Sequence, residues 1–365
     1  MIRVAFYGSS LLSSYWNGAA TYYRGLLSAL APLGYEITFY EPDAFDRQSH
    51  RDIGPPPWAR VRVYQARPDA LRAVLAEAAG ADVVVKASGV GVFDEELLSG
   101  IMTAARPDAL RVFCDVDAPA TLAQLRAGTA PVLRGALAEL DLVLTYGGGP
   151  PVVQAYRALG ARCCATIYNA LDRATHYPVP REAELAADLS FLANRMPDRE
   201  ARADAFFFVP AARLPNKRFV LGGSGWQDKP MSPNVRWIGH VGTGRHNAFN
   251  ASALAVLNVA RDSMAAMGFS PATRVFEAAG AGACLITDAW EGIEQFLAPG
   301  EEILVARDGD DVADIMATLT PEMARGIGER ARRRILAEHS YAQRAQAVND
   351  LFRGTLARKR QLVDA

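Results

Sequence analysis

The chain has no long apolar run, no cysteine framework and no charge of one sign, and each absence removes a class of function. None of its apolar stretches approaches the roughly 18 residues needed to span a bilayer, so no integral membrane segment is expected. It opens on the strand-like run IRVAFYG with no apolar leader ahead of it, and a cytoplasmic location is expected. Of four cysteines, Cys163 and Cys164 are adjacent and Cys114 and Cys284 lie inside apolar runs. That pattern offers neither a CxxC pair nor a disulfide framework and reads as reduced core thiols. With 39 basic against 40 acidic residues the net charge is −1, which provides no global field for nucleic acid. The five histidines form no spaced ligand set; His240 and His246 flank a glycine loop and read as hydrogen-bonded or solvated imidazoles, so no metal is expected.

What is present is size and rhythm. At 365 residues, half of them hydrophobic, the chain exceeds the roughly 250 to 300 at which single cores stop growing. Short apolar runs alternate with longer helix-like segments, the signature of parallel sheets covered by helices. Strands are expected from Ile2, Tyr35, Val61, Asp82, Leu110, Asp141 and Cys163. After a proline-rich break at 169–180, six more are expected from Asp188, Arg218, Val235, Leu254, Cys284 and Glu302. The predicted fold is α/β, with two Rossmann-like domains facing each other across a cleft. The expected division is 1–170, 171–340 and a C-terminal helix, 341–365, crossing back to the first domain. In open parallel sheets ligands sit beyond the carboxyl ends of the strands, so the loops there are the places to look for chemistry.

One such place is MGFSPATRVFEAAGAGACLITDAWEG, residues 267–292. Ser270 reads as an N-cap and Pro271 as the first helical residue, leaving the N–H groups of Ala272, Thr273 and Arg274 facing outward. A helix start of this kind attracts a diphosphate. Arg274 opposes the helix dipole in the first turn, which makes sense if a ligand supplies negative charge, and Glu277 follows on the same face.

The order of motifs resembles that of GT-B glycosyltransferases, and more narrowly the bacterial group related to spore-maturation CgeB-type proteins. The similarity rests on LSFLANRMPDRE, RFVLGGSGW, VRWIGHVG and the 267–292 segment in the second half, on YNALD at 168–172, and on SYWNGAATYYRGLLSAL near the start. It implies a sugar transferase without an obligatory cofactor or metal. Its co-substrate is a nucleotide-diphosphate sugar, with a UDP-sugar the first candidate, bound mainly by the C-terminal domain. The acceptor (a glycan, a small molecule or a protein) would bind on the N-terminal side. Carried over by position, Arg195 resembles the diphosphate-binding arginine and Glu277 the ribose-binding glutamate. A lysine usual five residues after the arginine is replaced by Glu200, leaving Lys217 or Arg274 as the second cation. Gly222, Gly223 and Gly225 allow close backbone approach to the nucleotide, Ser270 and Thr273 line the diphosphate, and Gly18 reaches the phosphates from the other domain.

For catalysis, the second glutamate that retaining members carry eight residues before the ribose-binding one is Phe269 here, so the stereochemical outcome does not carry over. A general base after an N-domain strand is suitably placed, and Asp115 and Asp117 in VFCDVDAP are the candidates, with helix capping ahead of Pro119 as their alternative role. Lys86 and Ser88 follow another such strand. Three other readings remain open: a non-catalytic nucleotide- or sugar-binding relative, a metal-dependent GT-A transferase using Asp115 and Asp117, and a nucleotide-sugar epimerase. The last lacks its GxGxxG fingerprint.

Overall fold

The computed structural model describes the backbone of residues 1–363 and side chains to 361. The chain divides into two compact units, one holding Met1–Tyr168 and the stretch from Tyr341 onward, the other Asn169–Ser340. Every strand expected from the apolar runs is present.

The first unit is built on a seven-stranded sheet: β1 (Ile2–Tyr7), β2 (Tyr35–Asp43), β3 (Arg60–Gln65), β4 (Val83–Ala87), β5 (Leu110–Asp115), β6 (Leu142–Thr145) and β7 (Cys164–Thr166). All pairs are parallel, in the order β3-β2-β1-β4-β5-β6-β7. Helices on both faces bury the sheet, which is why β4 reads as an unbroken apolar run with every residue buried, the single exception in polarity being Lys86. The helix Ala19–Leu30 turns Tyr22, Tyr23, Leu26 and Leu27 inward and runs into a short 3-10 turn ended by Gly34 at φ 92°, a left-handed cap that glycine adopts without penalty. The helical stretch expected after residue 321 is two helices, Pro321–Glu338 in the second unit and Tyr341–Val363 in the first. The latter packs on Ala19–Leu30, where a Cβ on Gly25 would meet the Tyr341 ring at 2.1 Å.

The second unit has six parallel strands: β8 (Ala187–Leu192), β9 (Phe219–Gly222), β10 (Val235–Trp237), β11 (Ala253–Asn258), β12 (Leu285–Asp288) and β13 (Leu304–Ala306), in the order β10-β9-β8-β11-β12-β13. Its main core joins Phe191, Phe207, Phe219, Trp226, Leu257 and Ile286 with the apolar face of the helix Gly309–Thr318. In both sheets the winding reverses once, between β1 and β4 and between β8 and β11. Parallel sheets form their ligand crevices at such points, at the carboxyl ends of the strands.

Candidate functional site

In the second unit the loops at the reversal point carry a concentrated set of charged side chains. The segment after β11 runs through a short helix, Asp262–Met267, then a tight loop into the helix Thr273–Gly280. The loop is strained: Gly268 and Phe269 both have positive φ, and the Phe269 N–H donates to the Glu291 carbonyl at 2.6 Å. Here the structure corrects the expected helix start. Ala272, not Ser270, is the N-cap, so the first helical N–H groups are those of Thr273 and Arg274. Ser270 is buried and its Oγ donates to the Gly268 carbonyl instead, because the positive-φ turn brings that oxygen within 2.8 Å.

Arg274 and Glu277, three apart on the buried face, form an ion pair at 3.0 Å. Burial works to raise the Glu277 pKa, but Arg274, His176 and His246 together outweigh it and hold the carboxyl down to about 2. His176 and His246 complete the surroundings: His176 Nε2 lies 3.6 Å from Glu277 Oε1, and His246 Nδ1 lies 3.8 Å from Oε2. Burial and the Arg274 charge push His246 down to about 4, so it is neutral near pH 7. Asn247 places the pair, its amide accepting from the Tyr177 N–H and donating to the Thr175 carbonyl, which fastens 175–177 against the helix that begins at His246. Gly280 lets that segment approach: a Cβ there would meet Leu171 Cδ1 at 2.3 Å. His176 carried no motif signal, and His246 had been read as a loop imidazole. Their convergence on Glu277 comes from residues 70 and 101 positions away from His176 and was not readable from spacing.

The arginines after β8 differ from expectation. Arg195 is committed to acids, pairing with Glu200 at 2.6 Å and Asp228 at 2.8 Å, so Glu200 occupies the expected phosphate ligand as well as replacing the lysine. Arg199, which the motif comparison passed over, makes no ion pair among the described residues, and its Nε is buried without a hydrogen bond. Burial lowers its pKa, Asp198 and Asp288 act against that, and the like charges of Arg261 and Arg274 add to it. Lys217 precedes β9, at the amino end of the sheet, and pairs with Asp188 at 3.8 Å; it lies away from the loops that carry Arg199 and Arg274. Gly222 ends β9, while Gly223 and Gly225 follow it at φ 119° and 89°. Gly223 is required by packing, since a Cβ would meet the Ala193 carbonyl oxygen at 2.0 Å.

In the first unit, Gly18 is the N-cap of Ala19–Leu30 at φ −63°, and a Cβ there would meet nothing within 4 Å, so neither backbone nor packing demands glycine. Asp115 and Asp117 sit at the end of β5, but differently. Asp115 is fully buried and accepts from Ser88 Oγ at 2.9 Å, Thr121 Oγ1 at 2.9 Å, Tyr156 Oη at 2.5 Å and the Asp117 N–H at 3.1 Å. Burial raises its pKa even against these donors. Asp117, half-buried, is the N-cap position of the helix Ala118–Ala127, with no side-chain bond capping that helix. Lys86 is buried and tied to Asp94 at 2.5 Å, and Asp94 in turn accepts from the Val90 and Gly91 N–H groups, so the lysine fastens the loop after β4. No helix among the described residues is long and apolar enough to cross a membrane.

The two parallel-sheet α/β units have the architecture of the GT-B fold. Residues 199–350 match the family described as glycosyl transferase-like. Among solved structures, a sucrose-phosphate synthase from Thermosynechococcus elongatus aligns with a TM-score of 0.71 at 16% identity, over 98% of this chain and 100% of that one. HepE of Anabaena, solved with UDP and glucose, aligns at 0.69 and 13% identity over 97% and 100%. AviGT4, a glycosyltransferase involved in avilamycin A biosynthesis, aligns at 0.61 and 18% identity over 98% of both chains. No curated protein sequence matches the chain.

Proposed function

We propose that the protein transfers a sugar from a nucleoside-diphosphate sugar to an acceptor hydroxyl, and that the donor lies on the second unit. The observation that carries this reading is Arg199 beside Arg274 at the β8/β11 reversal point. Arg199 makes no ion pair among the described residues, its Nε is buried without a hydrogen bond, and Asp198 and Asp288 near it are paired with Arg261 and Arg202, so an anion would stabilise it, and a diphosphate offers matching oxygens. Glu277 would accept from the ribose hydroxyls, with Thr273 and the N–H groups of the helix start on the diphosphate. Ser270 keeps a supporting place in that loop. Arg195 would join only by releasing Glu200 and Asp228, and Gly222, Gly223 and Gly225 shape the loop beside it. Gly18, with open space at its Cβ, is kept as a backbone contact to the phosphates.

The base that takes the acceptor proton is assigned to Asp117, with Asp115 positioning it through the Asp117 N–H. In the transfer, the bond from the anomeric carbon to the diphosphate oxygen breaks, a bond to the acceptor oxygen forms, and the proton passes to the carboxylate. A UDP-sugar is the first candidate, supported by the neighbour solved with UDP and glucose. The narrower grouping with CgeB-type proteins, the absence of a nucleic-acid partner and a cytoplasmic location belong to this proposal, on motif order and balanced charge. A thermal-shift series with UDP, GDP, ADP, dTDP, CMP and NAD⁺, with and without Mg²⁺, tests it. Stabilisation by one nucleoside diphosphate without Mg²⁺ is expected. Stabilisation by NAD⁺ alone, or only with Mg²⁺, overturns the donor assignment.

A further inference from the structure

Beside Glu277 stand two ring nitrogens without hydrogen-bond partners among the described residues, which a nucleotide does not explain. His246 Nε2 faces the Val241 carbonyl at 3.3 Å. A carbonyl only accepts, so the ring proton sits on Nε2 and the Nδ1 lone pair is directed toward Glu277. His176 is arranged the same way. His176 Nδ1 lies 2.9 Å from Thr175 Oγ1, whose hydroxyl also reaches the Asp172 carbonyl at 3.4 Å, and the Nε2 edge of the ring faces Glu277 Oε1. His176 is 2% exposed and Glu277 5%, and neither His176 Nε2 nor His246 Nδ1 has a hydrogen-bond partner. Two imidazole nitrogens without hydrogen-bond partners and a carboxylate thus converge, all within 4.8 Å of one another.

We propose that His176 Nε2, His246 Nδ1 and the Glu277 carboxylate form a site for Zn²⁺. Two imidazoles and one carboxylate, with a fourth position left for water, are a ligand set that zinc takes, at bonds of about 2.0 to 2.2 Å that put tetrahedral ligands roughly 3.3 Å apart. The separations of 3.6 and 3.8 Å run to different oxygens of Glu277, and the three ligand atoms lie within 4.8 Å of one another, so the two rings must close in by up to roughly 1.5 Å around the ion. Each ring also sets its other nitrogen against an oxygen, the outer-shell arrangement that orients ligating histidines. Arg274 is the opposing charge. It pairs with Oε2 at 3.0 Å through Nη1, while its Nε and Nη1 make no hydrogen bond, so entry of the cation requires this one ion pair to yield. Zinc on Glu277 would withdraw the carboxylate assigned above to the ribose, making metal and nucleotide competitors. That consequence rests on the donor reading; the metal site does not.

The test uses the full chain freed of metal by a chelator. Co²⁺ is added as a spectroscopic stand-in, and Zn²⁺ uptake is measured by elemental analysis after gel filtration. The visible absorption of four-coordinate Co²⁺ and one Zn²⁺ per chain are expected, with affinity at least ~10-fold weaker in H176Q and H246Q and unchanged in H240Q. No uptake, a six-coordinate Co²⁺ spectrum, or uptake equal in all three variants overturns the proposal. The wild-type spectrum decides even if a variant fails to fold. Whether UDP displaces the bound Co²⁺ is read separately: failure to displace it removes Glu277 from the donor site and leaves the metal site standing.

Discussion

At the scale of single residues, the arginines after β8 divide the labour in a way their order in the chain does not reveal. Arg195 spends its fork on Glu200 and Asp228, whereas Arg199 makes no ion pair among the described residues, the nearby Asp198 and Asp288 being taken by Arg261 and Arg202. Arg199→Ala is therefore expected to weaken UDP binding by roughly 1.5 to 3 kcal/mol, about 10- to 150-fold, while Arg195→Ala changes it less than about threefold. Isothermal titration of both variants decides, and equal losses would return Arg195 to the phosphates. The two aspartates after β5 separate by the same reasoning. Asp117→Asn is expected to leave UDP affinity unchanged and to lower kcat by ~10² or more. Asp115→Asn places an amide against three hydroxyls and an N–H, and lowers the melting temperature as well. Wild-type turnover in Asp117→Asn would remove that residue from the chemistry.

At the scale of elements, close approach and local charge decide which segments stay docked. The helix Tyr341–Val363 lies against Ala19–Leu30 because Gly25 leaves room for the Tyr341 ring. Gly25→Val drives a branched side chain into that ring and is expected to cost on the order of 1 to 3 kcal/mol, seen as a lower denaturant midpoint. An unchanged midpoint would mean the helix repacks freely. The segment around residue 52 is held differently. Asp52 receives both arms of Arg24, at 2.7 and 3.0 Å, and the Ser14 N–H and hydroxyl. Burial acts to raise its pKa, but Arg24 and then Ser14 bring it down to about 2. A carboxyl depressed on folding contributes stability above its unfolded value near 3.8 and loses it as pH falls from there toward 2. Screening at this half-exposed position limits the contribution to about 1 kcal/mol. Asp52→Asn is expected to flatten the stability curve between pH 4 and 2, and an identical acid limb in both proteins would show that the clamp adds nothing.

At the scale of the whole molecule, each unit has its own parallel sheet, and the residues assigned to the donor, Gly18 apart, lie in the second. UDP is accordingly expected to slow amide exchange most strongly in 193–200 and 267–277, and protection confined to residues before 168 would contradict that placement. Much of the architecture was legible beforehand. A strand buried on both faces must be apolar along its length, so runs such as VVVKA and CLIT announced themselves, and their alternation with helices implied parallel sheets. Arg274 and Glu277 were legible because three residues of helix bring side chains onto one face. The starting residue of that helix was not, since Ser270 found the Gly268 carbonyl in a positive-φ turn. Nor were Arg199, whose lack of an ion pair depends on Arg261 and Arg202 taking Asp198 and Asp288, or His176, which meets Glu277 across 101 positions. Local periodicity and capping chemistry act over a few residues, so the sequence alone determined the strands, the helices and the α/β class. Which charges pair and which ring nitrogens converge is set by side chains brought together from distant strands, and the tertiary structure alone decided it.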